Sequence, residues 1–566
     1  MKDYLLTEAT INWQGKTACS DDFSDTYWSR EAAIAEKTHV FTDPMQVRWE
    51  KLKPGNVFTI GEIGFGFGLN FMLTAEKWKK NGFEGFLNYI AYENRPVSPS
   101  DIAILGRLMP QLPVSNLLKH YPLPLHGHHI IWFASNIKLI LMFDDALNAL
   151  KDTSAKIDAW YLDGFTPSKN TNIWNERVFS QMFRLSKPGA TVSTYSAAGK
   201  VRRGLTNSGF RVGRKVGYGK KREMLFAAAR GEWIPTNHIA CKVAIVGRGI
   251  AGAYLYEALQ RRSMDITIFD DGEATSSIVP QLAIYPSLAI NNELRYRFSL
   301  SAFEYATQDN TYYHQTGIIF SPKNEKERDR WTKISAKFPD DFLFYRNNRV
   351  CFPSAGWLAS RKLLEDTPAT NQHIKKISWT SEGWLLTHKN GCFIADAVIL
   401  ANGAQISPIS MPSIVDVIPG LVLSVHLKNP ISQVTTGHSS IFPPLNNCST
   451  VSGLYDRDLA TVTEYHINEL LGDIEISHEI LSADIGYRST TRDRLPLCGV
   501  VPSWSDPNEP DQAGLYLLQG LGSHGATTAR LCAEYITTLI TQEPSVLGIS
   551  MQKALEPKRF LLRNSN

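Results

Sequence analysis

Two glycine-rich turns, each set between an apolar run and a helical pattern, constrain the fold of this chain more than any other feature. The first is "VFTIGEIGFGFGLNFMLTAEKW", with Gly64, Gly66 and Gly68. The second is "KVAIVGRGIAGAYLYEAL", with Gly247, Gly249 and Gly252. Such a strand–turn–helix opens a nucleotide-binding α/β unit, because glycine lets the backbone turn sharply and approach a ligand with no Cβ in the way. Two openings predict two such units within the 566 residues.

The patterns around each turn agree. Between residues 56 and 230 the apolar runs "VFTIGEIG", "FLNYIAYE", "IKLILMFDD", "AWYLDGF", "ATVSTYS" and "MLFAAA" alternate with helical segments. That alternation predicts a parallel sheet covered by helices on both faces. "GEWIPTNHIAC" breaks it with Gly, Pro and polar residues, so the expected domains are 1–235 and 241–566. Beyond residue 290 the runs shorten and turns multiply, as in "SEGWLLTHKNGCFIADAVILANGA". This predicts an antiparallel-sheet substrate domain inserted at residues 300–480 of the second unit. The fold class expected is therefore α/β, a Rossmann-like unit followed by a second one that carries the insertion.

Composition narrows the partners. No run reaches the roughly 18–20 apolar residues of a membrane helix, and "MKDYLLTEATINWQGK" lacks the segments of a signal peptide. A cytoplasmic protein with no membrane partner is expected, and its size is adequate for a monomer. The seven cysteines are scattered without metal-ligand or redox spacing, which points to reduced structural thiols and no metal site. Residues 1–235 hold 30 Lys and Arg against 22 Asp and Glu, whereas the remainder holds 29 against 33. A polyanionic partner would dock on the first half.

In the first turn, the acid Glu62 precedes G-x-G-x-G, the pattern of S-adenosylmethionine-dependent methyltransferases rather than the G-x-G-x-x-G of dinucleotide binders. The next run ends at Glu93, whose carboxylate suits the two ribose hydroxyls. The run after it ends at Asp144 and Asp145, one of which, Asp145 in this reading, faces the adenine. Ligands of such sheets sit outside the carboxyl ends of the strands, where these acids recur. "DAWYLDGF" brings Asp163 to the same face. A protonated alkylamine has no lone pair to methylate, and a carboxylate beside it can take that proton, so Asp163 is the expected catalytic residue. Asp158, ahead of it, is expected in a solvated loop.

Between Lys200 and Arg222 lie nine Lys and Arg and no acid. Charge runs are commonly solvated faces, yet Gly, Phe and Tyr are interleaved here, which suits phosphate contact with RNA through Arg202, Arg203, Arg214, Lys215, Lys220, Lys221 and Arg222.

The second turn is a full G-x-G-x-x-G, and "DITIFDD" places Asp270 where a ribose hydroxyl is bound in NAD or FAD proteins. The late strand "ADAVILANGA" and the strand–turn–helix "GLYLLQGLGSHGATTARLCAEYI" favour FAD, with Gly520 and Gly522 approaching flavin phosphate or ring oxygens. Between them, "GYRSTTRDRLPLCG" resembles a stretch of the glycine-oxidase and D-amino-acid-oxidase family. That resemblance implies that Arg488 holds a substrate carboxylate, for which its planar fork is suited.

Taken together, "DDFSDTYWS", "EIGFGFGLNF", "DAWYLDGF", "VRRGL", "GKKREM", "VGRGIAGA", "TRDRLP" and "GLGSHG" resemble the bifunctional MnmC family nearly end to end. The resemblance implies two steps at the wobble uridine of the tRNA anticodon arm. The flavin half removes the carboxymethyl group from a carboxymethylaminomethyl substituent, and the methyltransferase half methylates the amine left behind. Two segments depart from the family pattern. "ATSSIVPQLAIYP" bears on flavin contacts, and "IPGLVLSVH" near residue 420 bears on the substrate cavity. Three rivals remain: a methyltransferase with an impaired flavin half, an enzyme for a free secondary amine, and a tRNA-binding module that keeps FAD only as a structural ligand.

Overall fold

The computed structural model describes residues 4–29, 32–219, 221–237, 241–272, 279–405, 407–472, 474, 480–504 and 511–563. Two compact units divide them. One takes the described residues of 4–239 together with Thr541–Ile549, and the other those of 240–540 and 550–566. None of the described helices is long and apolar enough to cross a membrane.

The first unit is built on β1 (Asn56–Ile63), β2 (Phe86–Glu93), β3 (Gly127–Ala134), β4 (Ile137–Phe143), β5 (Ile157–Leu162), β6 (Ser186–Ser193), β7 (Arg211–Val216) and β8 (Glu223–Ala228). Their spatial order is β7-β8-β6-β5-β1-β2-β4-β3. The five central strands run parallel, and the outer pairs are antiparallel. β1 is buried along its whole length, as expected of a strand covered on both faces. Chain order runs one way from β1 to β2 and the other way from β5 to β6. The crevice at the carboxyl ends of β1 and β5 is thus a topological switch point, where ligands of such sheets bind.

Two strands go beyond the sequence pattern. β3 ("GHHIIWFA") carries two histidines after its first glycine, and its buried His129 meets the Leu125 carbonyl through Nε2 at 2.8 Å. β7 is an edge strand that is exposed along almost all its length, so no apolar alternation marks it. The basic run is therefore part strand, held by six residue pairs to β8.

Asp158 overturns its expected place in a solvated loop. It lies inside β5, fully buried, and accepts from the Thr59 amide, the Lys187 ammonium and the Trp233 indole, each at 2.7 Å. Burial pushes its carboxyl above the usual range, against the pull of Lys187. The pattern hid it because a fully partnered acid sits in a strand that otherwise reads as apolar.

The short tract Thr541–Ile549 enters this unit through the amide of Ser545, which donates to the Ser154 carbonyl at 3.0 Å, and through the buried ion pair of Glu543 with Lys138 on β4.

The second unit carries a sheet in the order Thr370–Asn371, β10 (Asp265–Asp270), β9 (Lys242–Val246), β11 (Ala397–Leu400), β15 (Leu515–Gln519) and Leu497–Val500. All pairs are parallel except the last. α1 (Ile250–Gln260) follows β9. An added Cβ on Gly252 would stand 2.0 Å from the Gly247 carbonyl oxygen, so this glycine lets helix and turn close on each other. A second, eight-stranded sheet includes β12 (Asp416–Val425), β13 (Ser449–Tyr455) and β14 (Ser482–Thr490). It is antiparallel except where Ile318–Phe320 pairs with Val434–Thr436, and it reaches Thr490, past residue 480.

Asp158→Ala strands a backbone amide, an ammonium and an indole donor together. It is expected to destabilise the protein by about 3–5 kcal/mol, whereas Glu232→Ala on the surface should stay within about 0.5 kcal/mol. Denaturant unfolding followed by tryptophan fluorescence checks both.

Candidate active sites

The first cavity opens at the switch point of the first unit. Gly64, Phe65, Gly66 and Phe67 form one wall, Glu93 to Arg95 another, and Asp163 to Thr166 a third. Gly64 has φ +90°, and a Cβ there would lie 2.3 Å from the carbonyl oxygen of Asp163. Only glycine lets the two strand ends close in this way.

Glu93 accepts from the Gly66 amide at 2.9 Å and the Arg95 amide at 2.8 Å, which fixes its carboxylate at the cavity wall. Burial raises its pKa above the usual carboxylate range despite these amides. A glycine cradle beside a fixed carboxylate fits the ribose and amino-acid portions of S-adenosylmethionine.

Asp163 pairs with Lys37, which ends the short helix Ala33–Lys37, and accepts from Asn70 Nδ2 at 2.7 Å on the same Oδ2. Tyr195, two residues past the end of β6, closes the site, its hydroxyl on the Gly164 carbonyl at 2.7 Å. Phe23 stacks on Phe165 with centroids 4.8 Å apart, and Tyr27 meets Phe165 edge-on at 4.9 Å. Phe23 and Tyr27 of this aromatic mouth come from "DDFSDTYWS", and Phe165 from "DAWYLDGF". Both motifs were legible, whereas Lys37 and Asn70 carried no signal beyond their neighbours.

The other expected residues are placed differently. Glu62 does not line the cavity. It is buried behind it and accepts from Asn70 Nδ2 at 2.7 Å and the Tyr89 hydroxyl at 2.9 Å. Burial, and behind it the Asp163 charge, push its carboxyl well above the usual range. Gly68, at φ +73°, starts the helix Leu69–Lys80 and packs on Phe65. Asp145 likewise stays outside the lining. Its Oδ1 caps the helix Ala146–Asp152 by accepting from Leu147 and Asn148, so a helix start explains this acid.

The basic run divides. Arg202 and Arg203 are exposed on the helix Gly199–Asn207. Arg214, Lys215 and Arg222 line a shallow groove with His39 and Asp43. Within it Arg214 meets Glu223 at 2.8 Å, and Lys215 lies 3.9 Å over the Phe226 ring. Lys221 lines the first cavity, 2.9 Å from Glu36 and 4.7 Å over the Tyr195 ring. Lys220 lies outside the described residues.

The second cavity belongs to the second unit and is lined by Gly247, Gly249, Asp270, Gly522, Ser523 and Arg488, among others. Asp270 accepts from the Arg248 amide at 2.7 Å and from the Gly272 amide at 3.0 Å. A Cβ on Gly247 would fall 2.6 Å from the Ala401 carbonyl, so this turn is a cradle that a side chain would fill. That cradle and the fixed acid fit the adenosine and pyrophosphate portions of FAD. Gly252 and Gly520 lie behind the lining, and a Cβ on Gly520 would press on Thr491 at 2.8 Å.

Arg488 lies on β14 with its guanidinium 3.7 Å over the Tyr455 ring, and its Nη1 donates to Ser523 Oγ at 2.8 Å. The segment near residue 420 supplies Gly420, Leu421 and Val422 to the same wall. A Cβ on Gly420 would stand 2.6 Å from the Tyr455 ring, so this departure from the family pattern supports the aromatic under Arg488. In the other departure, residues 273–278 lie outside those described.

Comparison with known proteins agrees with the two cavities. Residues 112–230 match the family described as S-adenosyl-L-methionine-dependent methyltransferase, and residues 362–539 the family described as FAD dependent oxidoreductase. The chain is a methyltransferase fused to a flavin-dependent oxidoreductase, with S-adenosylmethionine and FAD as its cofactors. It is a relative of the MnmC bifunctional proteins. It is 28% identical to the tRNA 5-methylaminomethyl-2-thiouridine biosynthesis bifunctional protein MnmC of Legionella pneumophila (strain Lens), over 98% of each chain. With the protein of the same name from Actinobacillus pleuropneumoniae serotype 5b (strain L20) it shares 27%, over 99% of this chain and 98% of that one.

Glu93 gives a pH test. Its ionised form is the acceptor, and burial raises the pH at which that form is lost. S-adenosylmethionine affinity is expected to hold at neutral pH and to fall as pH drops through this raised range. Glu93→Gln should bind at least about tenfold more weakly at neutral pH and lose the acid-side dependence. Isothermal titration across the range reads both.

Proposed function

We propose that this protein modifies the wobble uridine of tRNA in two steps on one nitrogen, carboxymethylaminomethyl to aminomethyl and then to methylaminomethyl, with or without a 2-thio group. The observation that carries this reading is that each cavity presents one residue suited to one state of that nitrogen. Arg488 suits the glycine-like carboxylate of the first state, and Asp163 the amine of the second.

In the oxidative step, the Tyr455 ring and Ser523 hold the Arg488 guanidinium in one plane, leaving its remaining N–H groups to grip a carboxylate in a fork. FAD, when bound, supplies the two-electron acceptor for the C–H bond between nitrogen and carboxylate, and water then splits the resulting C=N bond into the aminomethyl group and a two-carbon oxo acid. The carboxylate grip fixes which carbon is presented.

In the second step, Asp163 holds the amine and takes the proton of its ammonium form. The S–CH₃ bond breaks as the N–CH₃ bond forms, and the sulfonium becomes a neutral thioether. Lys37 offsets the Asp163 charge in a site little exposed to water. Phe23, Tyr27 and Phe165 offer stacking faces for an unpaired base. Arg202, Arg203, Arg214, Lys215, Lys221 and Arg222, with Lys220 of the same run, supply the charge for phosphates of the anticodon arm.

Mass spectrometry of nucleosides tests the reading on tRNA carrying the carboxymethylaminomethyl group. Aminomethyl product without S-adenosylmethionine and methylaminomethyl product with it are expected. Unchanged tRNA, with added aminomethyl tRNA still methylated, would mean an impaired flavin half, and inertness on both would sink the RNA reading. Arg488→Ala should abolish only the first conversion. Asp163→Asn should slow only the second, by about 10²- to 10⁴-fold, with S-adenosylhomocysteine affinity preserved.

A further inference from the structure

Asn70 is buried to within 3% of full enclosure, lines the first cavity, and uses both hydrogens of its amide nitrogen. One goes to Glu62 Oε1 and the other to Asp163 Oδ2, each at 2.7 Å. Two carboxylate oxygens on one side fix the amide orientation, because the reverse would set oxygen against oxygen. Its own oxygen, Oδ1, is left buried and without a partner among the described residues. A buried acceptor left unmet costs about 1–3 kcal/mol, so a chain that keeps one beside a ligand cavity has a donor to come. Asp163, half-buried, lines the same cavity. Its Oδ2 is taken by Lys37 and Asn70, and its Oδ1 has no partner among the described residues.

We infer that Asn70 Oδ1 and Asp163 Oδ1 accept the two N–H groups of the neutral primary amine, so that Asn70 limits the reaction to one methyl. This rests on the amine-methylation reading above. A primary amine that has given up its proton through Asp163 to solvent, leaving Asp163 a carboxylate again, carries two N–H groups and one lone pair. With both hydrogens accepted by protein oxygens, the lone pair is the remaining direction, free for the incoming methyl. The product is a secondary amine with one N–H group fewer. To react again it must set its new methyl against the Asn70 oxygen, which then stays unmet. Selection against the second transfer thus comes from a buried polar atom denied its partner rather than from size alone.

The experiment compares wild type, Asn70→Ala and Asn70→Ser on aminomethyl tRNA and, separately, on methylaminomethyl tRNA. Nucleoside mass spectrometry supplies both rates, and calorimetry supplies the affinity for S-adenosylhomocysteine. Wild type is expected to stop at one methyl. Asn70→Ala should methylate the primary amine about 10- to 100-fold more slowly and yield dimethylaminomethyl nucleoside, with cofactor affinity within twofold. Asn70→Ser, which keeps an oxygen, should restore part of the preference. A loss of both rates in equal proportion would overturn the inference and make Asn70 a support for Asp163 only. Loss of cofactor affinity with product still monomethylated would overturn it too, and would assign the orphan oxygen to the ammonium group of S-adenosylmethionine. Wild type inert on aminomethyl tRNA would sink the substrate reading and this selectivity together, whereas variants indistinguishable from an active wild type would sink the selectivity alone.

Discussion

The close approach of Gly64 to the carbonyl of Asp163 is the constraint on which the first unit turns. It joins the end of β1, where the glycine turn begins, to the end of β5, where Asp163 stands. The walls of the cavity follow from it. Glu93 is clamped by the Gly66 amide on one side, and Asn70, two residues past Gly68, is brought under Asp163 on the other. Glu62 lies beneath both and aligns the Asn70 amide from behind. A side chain at position 64 would push the two strand ends apart, and neither the cofactor nor the acceptor group would keep its place.

The second unit solves a related problem with different chemistry. Its turn at Gly247 closes on the Ala401 carbonyl as Gly64 closes on that of Asp163, so each cradle is bounded by a neighbouring strand end. Its cavity, however, presents a guanidinium laid on an aromatic ring where the first presents Asp163. Arg488 comes from the inserted sheet and Gly247 from the nucleotide-binding sheet, so the guanidinium and the glycine cradle are set by separate layers of the same unit.

Much of this was legible in the sequence because glycines and strand-end acids report backbone geometry directly. Gly64, Gly66, Glu93, Asp163, Gly247, Asp270, Gly522 and Arg488 all line their cavities. What stayed hidden had physical reasons. Asp158 is an acid whose three partners come from distant positions, and its burial leaves no local trace. Asp145 obeys a local rule, helix capping, that competes with the reading of a ligand contact. Glu62 lies one layer below the surface of the site it shapes. β7 lacks alternation because it is an exposed edge strand, and Lys37 reaches Asp163 from a short helix that no motif marks.

The tract Thr541–Ile549 belongs with the first unit although the chain builds it last but one. During synthesis, Lys138 on β4 and the Ser154 carbonyl meet Glu543 and Ser545 only after residues 240–540 of the second unit have been made. At about 5–20 residues per second this is a delay of many seconds. The methyltransferase half is therefore finished only once all but residues 550–566 of the oxidase half have been made. Each chain that carries a finished methyltransferase half thus carries nearly all of an oxidase half, which ties the supply of the two together without any regulator.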